Sequence, residues 1–281
     1  RRWKNRQCLN LLPVGKGARV SGHFLFGNRK LRCPGNADCD ACHGGSAYDQ
    51  LSSFRQSNDR SSMTSADQKR SAAEASLEFI EPGVILGVGT GSTVNFLIDM
   101  LPGIRDRIDR VVSSSKATTA LLKERGFAVS TLNQVGDLDL YIDGADEATK
   151  RLNLIKGGGG ALTREKVLAG AARRFVCIVD ESKLVGMLGK FPLPVEVLPM
   201  AQAFVSRKFV KMRANPVWRE NFVTDNGNHI LDVHDLAISN PLELEDRLNR
   251  IPGILTVGLF AHRPADILLI GNDEGVRELR V

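Results

Sequence analysis

A lysine, four glycines and a helix-like run carrying a carboxylate follow one another without a gap at Lys156-Gly157-Gly158-Gly159-Gly160-Ala161-Leu162-Thr163-Arg164-Glu165-Lys166. Glycines strip side chains from the backbone, so its N–H groups can close on a ligand. Lys156 adds a point cation beside them. Glu165 falls in the first turns of the next helix, where the helix dipole favours a carboxylate. These residue types suit a small anionic substrate and a base to act on it. A merely flexible glycine loop would have the same composition.

Two further segments bear on that choice. Val84–Val88 is a short apolar run after the turn signal Glu81-Pro82-Gly83, and reads as a buried strand. Gly89-Thr90-Gly91-Ser92-Thr93 follows, and then a helix from Val94. Strand, Gly/Ser/Thr loop and helix present N–H groups and hydroxyls to a phosphate. The loop lacks both the Lys-Ser/Thr ending of a nucleotide P-loop and the third glycine of GxGxxG, so it reads as a sugar-phosphate cradle. Leu138–Ile142 is a strand ending in Asp143-Gly144-Ala145-Asp146-Glu147. Acids beyond the carboxyl end of a parallel strand stand where ligands bind. Asp143 and Asp146 could bond sugar hydroxyls or move protons between them. An N-cap, a solvated turn or a Mg²⁺ site remain open for the same three acids.

GVGTGST at 87–93, DGADE at 143–147, KGGGGALTREK at 156–166, DESKLV at 180–185, GKFPLPVEV at 189–197, TDNGNHILDVH at 224–234 and IPGILTVGLFA at 251–261 together resemble type A ribose-5-phosphate isomerase. The resemblance runs from about Met63 to the end, in the order and spacing of that family. Gly160 departs from it, standing where the family often has alanine.

The resemblance implies an aldose–ketose isomerisation of ribose 5-phosphate and ribulose 5-phosphate through an enediolate. Glu165 matches the base, and Lys156 with the Gly157, Gly158 and Gly159 N–H groups matches the groups that stabilise the enediolate. Asp143 and Asp146, with Gly144 and Ala145 between them, match sugar contacts that assist ring opening. Thr90, Gly91, Ser92 and Thr93 match the substrate loop, and Lys183 matches a further substrate-binding lysine. Lys69 reads first as an exposed helix lysine and second as a phosphate contact. No cofactor and no metal are expected. A homodimer in the cytoplasm is expected, with no membrane or nucleic-acid partner. A sugar-phosphate deaminase, a CoA transferase and a non-catalytic sugar-phosphate sensor are the competing readings. The joint Lys156–Glu165 and Asp143–Asp146 spacings disfavour the two enzymes, and intact Glu165, Lys156 and Asp143 argue against the sensor.

The basic balance of the chain, net +6, is misleading about partners. Residues 1–62 hold 11 Lys/Arg against 4 Asp/Glu, net +7, while 63–281 hold 27 against 28, net −1. The catalytic body is thus no basic nucleic-acid binder. Four of five cysteines, Cys8, Cys33, Cys39 and Cys42, lie in that first segment. Cys33, Cys39, Cys42 and His43 are too crowded for the two separated pairs of a zinc finger. Residues 1–62 are expected to be a non-family, disordered extension, with Met63 as the natural start.

The elements that must position the site alternate strand and helix, which indicates a Rossmann-like α/β fold with a doubly wound parallel sheet. It should span 63–191 and 263–281. Ser65 with Gln68 reads as a capping box opening the first helix. Further strands are expected at 111–112, 127–132 and 175–179, and a helix from Ala161 to about Gly170. From 192 to 262 the order strand (195–197), helix (200–212), hairpin (222–224 and 229–231), helix (242–249), strand (255–260) is β-α-β-β-α-β, a smaller ferredoxin-like α+β domain. Asp266–Ile270 should return to the large sheet. Cys177 reads as a small buried hydrophobe, and His229 and His234 as structural or exposed.

Overall fold

The computed structural model describes residues 63–236 and 238–280. The extension at 1–62 and its cysteine cluster lie outside the described residues.

The chain enters through α1 (Ser65–Ser76) and continues into β1 (Val84–Val88), α2 (Ser92–Met100), β2 (Ile108–Ser113), α3 (Lys116–Glu124), β3 (Val129–Ser130), α4 (Leu132–Val135) and β4 (Leu138–Asp143). Short strands β5 (Glu147–Ala148) and β6 (Leu154–Ile155) lead to α5 (Leu162–Ala171) and β7 (Ala172–Asp180). Then come β8 (Leu193–Val197), α6 (Gln202–Lys211), β9 (Asn215–Trp218), β10 (His229–His234), α7 (Pro241–Asn249), β11 (Ile254–Val257), β12 (Leu259–Phe260), β13 (Ile267–Asn272) and β14 (Gly275–Arg280).

The large sheet runs β14-β13-β7-β4-β1-β2-β3. It is parallel except for β14, which pairs antiparallel with β13 at the edge. Alternation along its strands explains the two layers. Leu86, Val88, Leu140, Ile142, Val176 and Ile178 pack against α1, α2 and α3. Tyr141, Phe175, Cys177 and Val179 face the other way, toward α5 and the small β12-β6-β5 sheet. The winding goes from β1 outward to β2 and β3, then returns to β4 on the other side of β1. That reversal is the switch point, where ligands bind in such sheets.

The second sheet, β11-β8-β10-β9, is antiparallel and has the strand order of a ferredoxin-like unit. Val205 and Phe209 of α6 and Leu244 and Leu248 of α7 close its core.

Several local expectations shift. The capping box is formed by Thr64 and Asp67, one residue upstream of the Ser65–Gln68 reading. The Asp67 carboxylate reaches back to Thr64, while Gln68 bonds Asp273 instead. The 127–132 strand shrinks to Val129–Ser130, because Thr131 and Gln134 form a second capping box and start α4. Phe222–Thr224 is not a strand, and β9 lies upstream of it. The turn at 224–228 does form, with Gly227 at φ +82°. Its Thr224, Asn226 and Asn228 side chains are drawn to the buried Glu196 carboxylate, which takes it out of a two-strand ladder. The single strand expected at 255–260 breaks at Gly258. A Cβ there would sit 2.2 Å from the Lys156 carbonyl oxygen, so the chain crosses from one sheet to another where only glycine fits.

Candidate active site

The site forms at the carboxyl ends of β1 and β4. The loop after β1 crosses directly over Asp143, and a Cβ on Gly89 would lie 2.0 Å from the Asp143 carboxyl carbon. Gly89→Ala must push either the loop or that carboxylate aside. Loss of activity with a lowered melting temperature is the expected outcome, measured by steady-state kinetics beside thermal unfolding. Unchanged values in both would refute the contact.

Past Gly89, the Thr90 hydroxyl sits among those of Ser114, Ser115 and Thr118 at 2.9, 2.8 and 3.0 Å, and Thr118 donates to the Gly89 carbonyl at 2.7 Å. This hydroxyl cluster fastens the loop to the start of α3. Gly91 takes φ +127°, a backbone region favouring glycine, and turns the chain into α2. No side chain caps α2. Its first N–H groups, with the Ser92 and Thr93 hydroxyls, are therefore placed for an anion.

A buried charge cluster forms part of the cleft wall and its backing. Lys156, Asp143 and Glu165 are 2 %, 0 % and 3 % exposed. The Lys156 ammonium is 2.8 Å from Asp143 and 3.2 Å from Glu165, and it donates to the Gly144 carbonyl at 2.6 Å. The two carboxylates are not equivalent. Asp143 also accepts from the Thr90 and Gly144 N–H groups at 3.1 and 2.7 Å and from the Tyr141 hydroxyl. It is locked. Glu165, in the first turn of α5, has an oxygen (Oε2) close to the ammonium but out of line for a hydrogen bond, and that oxygen has no other partner.

The electrostatics follow from this geometry. Burial pushes the Glu165 carboxyl up to about 8, against the pull of Lys156 and with a further push from Asp143. Burial works against the charge on Lys156, but the Asp143 and Glu165 carboxylates prevail and hold its pKa above the ordinary value. Tyr141 is raised by burial and by the neighbouring Asp143 charge, so it remains a donor. Asp146 is raised by burial, opposed by the Gly158 N–H, which donates to it at 2.8 Å, and by Lys156.

Thr90, Gly91, Ser92, Thr93, Gly144, Ala145, Asp146, Lys156, Gly157, Gly158, Gly159, Glu165 and Lys183 all line one cleft of about 120 Å³. That is well below the roughly 300–1,000 Å³ of pockets for drug-sized ligands, and suits a small substrate. Lys69 also lines this cleft and is half-buried rather than exposed. Asp143 alone among the expected site residues stands behind the wall rather than on it. Glu147 turns away to accept from the Gly189 and Phe191 N–H groups, so the three acids of 143–147 do not converge on a cation. Among the described residues no cluster of His, Cys, Asp and Glu could hold a metal ion, and no helix is long and apolar enough to cross a membrane.

Sequence reasoning missed three supports of the site. Tyr141 stands two residues before Asp143 on the same strand face, and that spacing was a usable signal. Glu196 is a charge in the middle of the otherwise apolar β8. It accepts from Thr163, Thr224, Asn226 and Asn228, and so ties α5 to the small sheet. Lys166 bonds Glu245 and the Leu259 carbonyl on the far side of the same helix.

The family model for ribose 5-phosphate isomerase A (phosphoriboisomerase A) matches residues 110–275. The chain is similar to the crystal structure of ribose 5-phosphate isomerase A from Neisseria gonorrhoeae, with 46% identity and a TM-score of 0.76, covering 78% of this chain and 98% of that one. A D-ribose-5-phosphate isomerase solved with phospho-erythronic acid is 38% identical, TM-score 0.75, covering 78% of this chain and 100% of that one. The enzyme of Methanocaldococcus jannaschii is 36% identical over the same shares, TM-score 0.73.

Proposed function

This chain belongs to the ribose 5-phosphate isomerase A family, and we propose from that premise which of its groups carry the reaction. The enzyme interconverts D-ribose 5-phosphate and D-ribulose 5-phosphate, an aldose–ketose isomerisation in the non-oxidative branch of the pentose phosphate pathway.

Glu165 is the base. It takes the proton from C2 of the opened aldose and returns it to C1 of the enediolate, and the reverse in the other direction. The observation that carries this is the unbonded Glu165 oxygen beside a buried ammonium: a carboxylate kept dry, raised in pKa and free to accept a proton. Lys156 supplies fixed positive charge for the enediolate, and Asp143 acts through it by holding the ammonium charged and in place. Asp146 faces the sugar hydroxyls and assists ring opening. Ser92, Thr93, Lys69 and Lys183 receive the phosphate. Phospho-erythronic acid is expected to compete here, its carboxylate standing in for the anionic C1–C2 unit. The homodimeric state and cytoplasmic location are proposed from the family likeness, and light scattering tests the first. The small sheet with α6 and α7, spanning 192–262, is proposed as a separate domain because it closes a core of its own.

Ribose 5-phosphate deuterated at C2 tests the base directly. Incubated in ordinary water with the enzyme, it should lose deuterium to solvent as ketose forms, and Glu165→Gln should abolish both. Isomerisation with the deuterium wholly retained at C1 and no exchange would point to a hydride shift instead.

The raised carboxyl also fixes a pH dependence. The base must be ionised, so kcat/KM climbs as pH rises through about 8. Stability runs the other way. The folded pKa lies above the reference of 4.5, so the contribution of Glu165 is full below that value and is lost as pH rises through about 8. In Glu165→Gln this slope of folding stability should flatten between those two pH values. Denaturant unfolding across the window measures it, and an unchanged slope would count against the shift.

A further inference from the structure

The loop after β9 belongs to the small sheet, yet it grips the glycine loop of the site. Arg219 is half-buried and anchored by Asp232 of β10, at 2.8 Å through Nε and 2.5 Å through Nη2. The rest of its guanidinium reaches the Gly158 carbonyl at 3.1 Å and the Gly157 carbonyl at 3.4 Å. It also stacks over Phe222 at 5.3 Å. The Phe222 ring fills the space where a side chain on Gly160 would stand, 2.2 Å from an added Cβ.

In a trans peptide the C=O and the next N–H point in opposite directions. Holding the carbonyls of Gly157 and Gly158 on the Arg219 side therefore turns the N–H groups of Gly158 and Gly159 the other way, toward the cleft. The contact already made there agrees: the Gly158 N–H donates to Asp146. Glycines have no side chain to resist a peptide flip. The Gly157 carbonyl is also held within the loop by the Gly160 N–H at 2.9 Å, whereas the Gly158 carbonyl is held from outside it, by Arg219.

We propose that Arg219, clasped by Asp232 and Phe222, is a positioning residue for the isomerisation: it fixes the peptide planes of Gly157–Gly159 so that their N–H groups face the reacting oxygens. The inference rests on the assignment of Glu165 and Lys156 above. Arg219 touches no substrate. Its effect belongs in the chemical step, while the phosphate contacts at Ser92, Thr93 and Lys69 lie elsewhere on the cleft and stay intact.

The test compares Arg219→Gln and Arg219→Lys in the whole chain, beside wild type and Glu165→Gln in one assay, with thermal unfolding of each. Arg219→Gln should lower kcat about 10²-fold, the scale of a small misplacement of catalytic groups, with KM little changed. Arg219→Lys can still donate to one carbonyl and should recover part of that loss at the same melting temperature as Arg219→Gln. Wild-type kcat in Arg219→Gln, a rise in KM alone, or a kcat loss that tracks the melting temperature equally in both variants would overturn the clasp. Should both Arg219 variants fail to fold, Gly160→Ala with and without Phe222→Ala carries the test. The double variant should be more active than Gly160→Ala alone, and simple additivity would reject the pairing. An active Glu165→Gln would instead sink the parent assignment and leave the clasp without its premise, so the two failures are distinguishable.

Discussion

Glu165→Gln lowers kcat for ribose 5-phosphate by about 10²–10⁴-fold, the range for loss of one positioned general base. The amide keeps the shape of the side chain and its place in the first turn of α5, but it can take no proton from carbon. Folding should not suffer. The carboxylate it replaces is opposed by its own burial and by Asp143, and its Oε2 makes no hydrogen bond that the amide would forfeit. At neutral pH and above, the variant should be as stable as wild type or more so. Phospho-erythronate should still bind, because the phosphate contacts and Lys156 remain. Isomerisation near the wild-type rate would remove Glu165 from its role. An inactive variant that had also lost the analogue would mean the substitution had disordered the site rather than the chemistry.

The sequence made one part of this site legible because that part is local. A glycine loop before a helix, and acids after a strand, carry their chemistry within a few residues, and seven such segments in register marked the family. The alternation of strands and helices likewise exposed the large sheet, since period and turn signals are short-range. What escaped notice depends on contacts across long separations. Glu196 reads as an oddity in β8 until the turn at 224–228 folds onto it. Arg219 reads as a loop arginine until β10 brings Asp232 beside it. The split of 255–260 into β11 and β12 has its cause at Gly258, which must pass the Lys156 carbonyl. No pattern within 255–260 records that crossing. The mismatch over Lys69 has the same origin. Its helix looks like any amphipathic surface helix, and only the placement of α1 across β7 and β13 puts that lysine on the cleft wall.

Lys156→Met should damage both catalysis and folding, and the two losses should respond oppositely to pH. Among the described residues Lys156 is the one buried cation, lying between two buried carboxylates. Methionine fills much the same volume without the charge. Removing one partner of a buried ion pair costs about 3–5 kcal/mol, because the partner charge is left uncompensated. Losing a preorganised electrostatic donor costs roughly 10²–10³-fold in kcat. Two carboxylates then face each other with only Tyr141 and backbone N–H groups to bind Asp143, and nothing to bind Glu165. Lys156 lowers the Glu165 pKa and Asp143 raises it, so deleting the lysine drives that pKa higher still. A folded pKa further above the unfolded one means stability is retained at low pH and lost as pH rises. Through Glu165 the two proteins should therefore lose stability in parallel from the reference value of 4.5 to about 8, and above that, where wild type levels off, the variant should fall progressively behind. Raising the pH to ionise Glu165 thus unfolds the variant instead of restoring its activity. Urea unfolding of both proteins across that range measures this. A destabilisation independent of pH would mean that the loss is one of packing around the methionine, and that Lys156 does not compensate Glu165 in the folded enzyme.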